Sequence, residues 1–317
     1  VYKPAIFESA ISYFDYMGFI MPRQGAVTPF QFGGQAVIEG VMMRGPDQMA
    51  TAVRVGDEIV IHQEKTTSWS DSFSILKWPF FRGTVVLIES MVIGIRTLNL
   101  SAYLLSGEDE DESLTPLEMG LTVALAVLIA VGLFVIVPTW LGHMTRGVLN
   151  IWGQNLAEGA ARLGIFFAYL LGIRALEDIR RVFQYHGAEH KVINTYEDGA
   201  ELTVEEVKRR SRLHPSCGTS FLLVVIIISI FVFAFLGNGS WLWKFGSRLI
   251  LLPVVAGLAY EFIRFSRRHR EKMKVLIAPG LWVQNLTTGE PDSGQIEVAI
   301  AALKRVLPPP ASDAVAS

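Results

Sequence analysis

The chain has 317 residues, of which 51 % are hydrophobic and only 18 % charged, against about 25 % charged in ordinary soluble domains. That balance excludes a disordered chain and an ordinary cytosolic enzyme, and a net charge of −2 gives no general attraction to nucleic acid. The single cysteine, Cys217, excludes an intrachain disulfide scaffold.

Residues 1–32 read as an amphipathic N-terminal arm, with Phe7, Ile11 and Phe14 at helical spacing. No basic stretch followed by an apolar core opens the chain, so no signal peptide is expected. From Gln35 the pattern turns to strands. Residues 36–38 and 41–43 flank Gly40, and 52–55 and 59–62 alternate about Gly56-Asp57 as a hairpin. The apolar stretch 83–105 carries Arg82, Glu89 and Arg96 on one stripe. It is expected to lie in the membrane interface or to dip into the bilayer rather than to cross it. Residues 108–112 are all acidic and read as a solvated loop.

Four stretches are apolar enough for spans: 117–137, closed by Pro138; 147–173, with Glu158 and Arg162 in its first half; 218–236; and 249–263, interrupted by Glu261. Eight basic residues run from Arg174 to Arg212 and six from Arg264 to Lys274, which places both stretches on the cytoplasmic side. Residues 280–286 read as a strand, 289–294 as a turn, 296–306 as a helix and 307–317 as a disordered tail. The expected fold is a polytopic α-helical membrane protein with about four transmembrane helices and an interfacial or re-entrant helix over 79–105. Its transmembrane region covers 117–263, with a cytoplasmic His-rich loop at 174–217. Segments 33–78 and 275–306, one from each end of the chain, are too poor in apolar residues to fold alone and are expected to join in one small cytoplasmic α+β domain.

The chemistry concentrates after the second span. His186 and His190 stand at i and i+4 on one helix face, where two ring nitrogens reach one metal ion. Glu189 completes H-x-x-E-H, the inverted zinc-protease spacing, in which the carboxylate is a general base. His214 and Cys217 follow as H-x-x-C, and the capping box Thr203-x-x-Glu206 opens a short helix that folds them back. Four ligands would close a structural zinc site; a catalytic site keeps one position open. Asn194, Glu197 and Glu261 are weaker alternatives as ligands, and Glu261 reads otherwise as a partner of Arg264. The plainer reading makes the histidines hydrogen-bonding groups at the membrane surface.

Several strings resemble the YqhQ-like family of bacterial membrane proteins. They are residues 33–45 (GGQAVIEGVMMRG), Phe81-Arg82-Gly83, 185–191 (YHGAEHK), 214–220 (HPSCGTS), 284–288 (QNLTT) and 295–299 (QIEVA). The likeness runs over residues 33–306. It implies a metal-dependent protein of the bacterial cytoplasmic membrane, and it marks Gln35, Glu39, Met42, Arg44, Arg82 and Lys191 as motif positions. Both termini are expected in the cytoplasm. The expected function is a membrane hydrolase with zinc or another divalent metal, acting on a lipid or a peptide. The alternatives are a non-catalytic scaffold with structural zinc, docking a complex such as the membrane-protein insertion machinery, and an oligomeric transporter or channel. The expected partners are the lipid bilayer and other protein subunits, alike or different, and no nucleic acid.

Overall fold

The computed structural model describes residues 32–66, 78, 81–107, 115–237 and 239–308. The N-terminal arm, the acidic loop 108–112 and the tail beyond 308 lie outside the described residues. The chain divides into two units, the first made of the described parts of Val1–Thr66, Gln184–His214 and Gly289–Ser317, the second of those of Thr67–Phe183 and Pro215–Thr288.

In the first unit, β1 (Gly33–Val37), β2 (Gly40–Arg44), β3 (Gln48–Val55) and β4 (Glu58–Lys65) form an antiparallel meander in sequence order. The hairpin at Gly56-Asp57 forms as its sequence requires, with Val55 opposite Glu58 and Gly56 at φ 60°. The first turn falls one residue earlier than expected, on Ile38-Glu39, and Glu39 takes φ 51° although it carries a side chain. Gly40 is instead a strand residue, because a Cβ there would strike the Ala52 carbonyl oxygen on the neighbouring strand.

Three helices belong wholly or in part to the first unit: α5 (Glu177–Glu197), which enters it at Gln184, α6 (Val204–Lys208) and α10 (Ser293–Val306); α4 (Ile151–Arg174) precedes them in the second. Asp292 and Gln295 cap α10 reciprocally. Its apolar face, with Ile296, Ala299, Leu303 and Val306, forms one core with Val41, Met43, Ala50 and Ala52 of the sheet and with Tyr185, Ala188 and Val192 of α5.

The second unit is helical: α1 (Phe81–Ser106), α2 (Pro116–Val131) running through a π turn (Gly132–Ile136) into α3 (Val137–Met144), then α4, α7 (Gly218–Ala234), α8 (Trp241–Arg268) and α9 (Arg270–Thr287). Among the described residues, Arg82–Ser106, Leu117–Met144, Ile151–Arg174 and Trp241–Ser266 are long and apolar enough to cross a membrane; Gly218–Ala234 is apolar but shorter. Pro138 does not end the first span as expected. It sits inside the helix, and the π turn before it absorbs the bond that proline cannot make. The Phe134 carbonyl, four residues before Pro138, accepts instead from Arg162 Nε at 3.0 Å.

Two further expectations are corrected. Residues 280–286 are the end of α9, not a strand. An apolar run of that length fits either period, and the decision falls to tertiary partners: Gln284 donates to Ser220 Oγ at 2.8 Å, and the Thr287 and Thr219 hydroxyls meet at 3.2 Å. Glu261 pairs chiefly with Arg82 rather than with Arg264. It receives both Arg82 Nε and Nη2 at 2.6 Å, while Gly83 beside Arg82 lets α1 approach Gly257 and Tyr260 of α8 closely.

Candidate metal centre

The centre is built on α5. His186 and His190 lie one turn apart, as their spacing requires, with ring centroids 4.4 Å apart. The same helix secures the segment that returns to it. Asn194 Nδ2 donates to the Ser211 and Leu213 carbonyls at 2.7 and 3.1 Å, and Lys191 Nζ donates to the Lys208 carbonyl at 2.9 Å. His190 Nδ1 stands 2.6 Å from the Arg212 carbonyl. A carbonyl only accepts, so Nδ1 carries the proton and the lone pair lies on Nε2, the arrangement found in metal-ligating histidines.

Cys217, the expected sulfur ligand, caps the start of α7 in the second unit, its sulfur accepting from Thr219 N. His214 lies beside His190, their ring centroids 5.8 Å apart, but its Nε2 faces Glu197 Oε2 at 3.5 Å. Of the four expected ligands, His186, His190 and His214 stand in the first unit and Cys217 in the second. Asn194 and Glu197, considered as ligands from the sequence, are used in holding the return segment and His214.

Glu189 is buried and packs on the sheet. A Cβ on Gly34 of β1 would lie 2.7 Å from the Glu189 side chain, so any other residue there would have to displace it. The Tyr185 hydroxyl donates to Glu39 Oε2 at 3.2 Å, which ties the left-handed Glu39 turn to the helix turn that carries His186. Gly187 lies against the Gly289 carbonyl, and Lys191, buried, pairs with Glu290 at 2.5 Å. Of the remaining motif positions, Gln35 and Met42 are opposite each other on β1 and β2, Arg44 is half-buried at the end of β2, and Arg82 lies on α1 with Glu261.

A second polar cluster lies in the helices of the second unit. Arg248 of α8 donates through Nε and Nη2 to the two Glu158 oxygens, each at 3.1 Å, and Arg162 Nη2 reaches Glu158 at 3.0 Å. Lys244 Nζ joins at Gln154, 3.3 Å away. Glu158 and Arg162 were visible inside an apolar stretch, whereas Arg248 and Lys244 were missed because α8 was expected to begin at 249. The signal was there: Ser240 caps Trp241 onward, and Lys244 and Arg248 are spaced i, i+4 from that start.

The described residues thus form a mostly helical chain with four helices long and apolar enough to cross a membrane, a small four-stranded sheet and two histidines one turn apart on α5. The chain belongs to the family described as "Protein of unknown function (DUF1385)", which matches residues 78–309. It is 36 % identical over 295 residues, 88 % of this chain and 93 % of the relative, to the "Uncharacterized protein YqhQ" of Bacillus subtilis. No solved structure matches it.

Proposed function

We propose that this chain is a bacterial inner-membrane protein that binds a divalent metal, zinc by donor chemistry, and uses it in hydrolysis at the cytoplasmic surface. The observation that carries the reading is the pair of imidazoles one turn apart on α5, with ring centroids 4.4 Å apart and His190 Nδ1 held at the Arg212 carbonyl; Cys217, three residues beyond His214 in the chain, supplies a sulfur as third donor. That donor set suits zinc, and three protein ligands leave the fourth position that catalytic zinc keeps for water. Bound zinc supplies a Lewis acid and brings the pKa of its water to about 7. His190 is held in its ligating tautomer by the Arg212 carbonyl, and Asn194 and Lys191 fix the segment leading to Cys217. Glu189, on the helix turn between the two histidines, is assigned the role of proton acceptor. A scaffold with structural zinc would recruit His214 as a fourth ligand; its pairing with Glu197 favours the open site.

Elemental analysis of the purified full-length protein in chelator-free buffer tests the metal. About one metal ion per chain is expected, with loss in His186→Ala and in His190→Ala, and retention in Glu189→Gln. Glu189→Gln is expected to fail to complement a deletion strain; full complementation would leave the scaffold reading. A metal-free wild-type protein refutes both.

The connectivity of the first unit supports a particular orientation. β4 precedes α1 and the histidine half of α5 follows α4, yet both belong to one unit, so the chain between them crosses a membrane an even number of times. Three candidate spans lie between them. One must stop short, and the Arg82, Glu89 and Arg96 stripe assigns that role to α1, as an interfacial or re-entrant helix. α7 and α8 then cross as a pair, and the basic stretches place the sheet in the cytoplasm. Asp57→Cys is expected to react with an impermeant thiol reagent only after cells are permeabilised. Reaction in intact cells would show that the sheet faces outward.

A further inference from the structure

The second unit contains a cavity of about 320 Å³ bounded by α4, α7, α8 and the π turn. Its size is at the lower end of the range for small-molecule sites, roughly 300–1,000 Å³. The walls are apolar over most of their extent, among them Phe166, Leu170 and Ile226, and the exposed Tyr169 and Leu222 stand at its rim. Where α2–α3, α4 and α8 cross a membrane, that rim faces lipid chains. Eight residues separate Arg162 from Leu170 along α4, so the cavity extends about 12 Å along the helix.

The other end is cationic. Arg162 and Arg248 both line the cavity, with each guanidinium carbon 5.2–5.3 Å from the Phe233 ring centre. Each guanidinium has five N–H donors. Arg162 uses three on Phe134, Ser229 and Glu158, and Arg248 uses three on Glu158 and Ser247, which leaves two on each. Arginine remains charged at all physiological pH, so two cations share the single Glu158 carboxylate, with Lys244 also nearby. Buried ionisable groups at membrane depth are costly and mark functional sites. An excess positive charge among the walls of an otherwise apolar cavity is complementary to an amphiphile with an anionic head.

We propose that this cavity binds a single-chain anionic amphiphile, a fatty acid, with its carboxylate at Arg162 and Arg248 and its tail along Phe166, Leu170 and Ile226 toward the rim. A cavity of about 320 Å³ accommodates one chain rather than the two tails of a phospholipid. The site shares no residue with the expected metal ligands and stands whether or not they hold a metal.

The full chain in detergent micelles is photolabelled with a diazirine-bearing palmitic acid, and the adducts are mapped by mass spectrometry. Adducts are expected on the cavity-lining residues of α4 and α7. Excess palmitate should reduce them at least tenfold, and excess hexadecanol, which has the same tail without charge, should reduce them less than twofold. Ile226→Trp, which fills the cavity, should reduce labelling about tenfold, and Leu121→Trp, on an exposed helix face, should leave it unchanged. The wild-type adduct map is decisive even if Ile226→Trp fails to fold. Adducts spread over the exposed helix faces, equal competition by hexadecanol, or stronger cavity labelling by a diazirine-bearing phosphatidylglycerol than by the fatty acid would each overturn the proposal.

Discussion

Gly187→Ala is expected to reverse the usual effect of its substitution. In a helix interior, alanine is favoured over glycine by about 0.8–1 kcal/mol. At position 187 the added methyl would meet the backbone carbonyl of Gly289, and Gly289 is itself confined: a Cβ there would lie 2.8 Å from Gln184 Cγ. Both glycines mark one backbone-to-backbone approach, which cannot yield as the end of a flexible side chain can, so the cost falls in the upper part of the roughly 1–3 kcal/mol range for overpacking. Subtracting the propensity gain leaves a net loss of about 1–2 kcal/mol, a factor of roughly 5–30 in the folded ratio. Because Gly187 lies between His186 and His190, the same displacement should lower metal content. The assay is thermal melting of the purified protein in micelles, with metal per chain measured in parallel. Gly172→Ala, where nothing stands within 4 Å, is the control and should be neutral or stabilising. A Gly187→Ala protein that melts at or above wild type would refute the close approach of α5 to the 289 turn.

Glu158→Gln leaves two buried guanidiniums without their carboxylate and should cost about 3–5 kcal/mol, while Glu158→Gln with Arg248→Met should recover part of that loss; melting of the singles and the double in one detergent checks it, and strictly additive losses would show that the groups do not interact. Tyr185→Phe should cost about 0.5–1.5 kcal/mol through its bond to Glu39, and Glu39→Gln in the Tyr185→Phe background should add less than it does alone, which a double-mutant cycle by melting measures.

The parts legible in the sequence were those set by local rules. The Gly56-Asp57 hairpin, the capped helix ending at Val306 and the apolar helices follow from turn chemistry, capping and periodicity, which neighbouring residues decide among themselves. The i, i+4 geometry of His186 and His190 was fixed in the same way once α5 was helical. The motif strings also carried information, but not about what each residue does. Gly34 leaves room for the Glu189 side chain, Glu39 accepts from Tyr185, and Gly83 lets α8 pass close.

What only the tertiary structure decided was partnership across long separations. Residues 281–286 fit a strand or a helix equally well until Ser220 and Thr219 supplied partners for Gln284 and Thr287. His214 matched the ligand pattern as well as Cys217 did, and the fold sets its Nε2 3.5 Å from Glu197 Oε2. Glu261 had Arg264 one turn away and binds Arg82 instead, 179 residues distant in the chain. In each case local sequence left two arrangements close in energy. Polar contacts between segments distant in the chain selected one: hydrogen bonds for Gln284, Thr287 and Glu261, and a carboxylate beside His214.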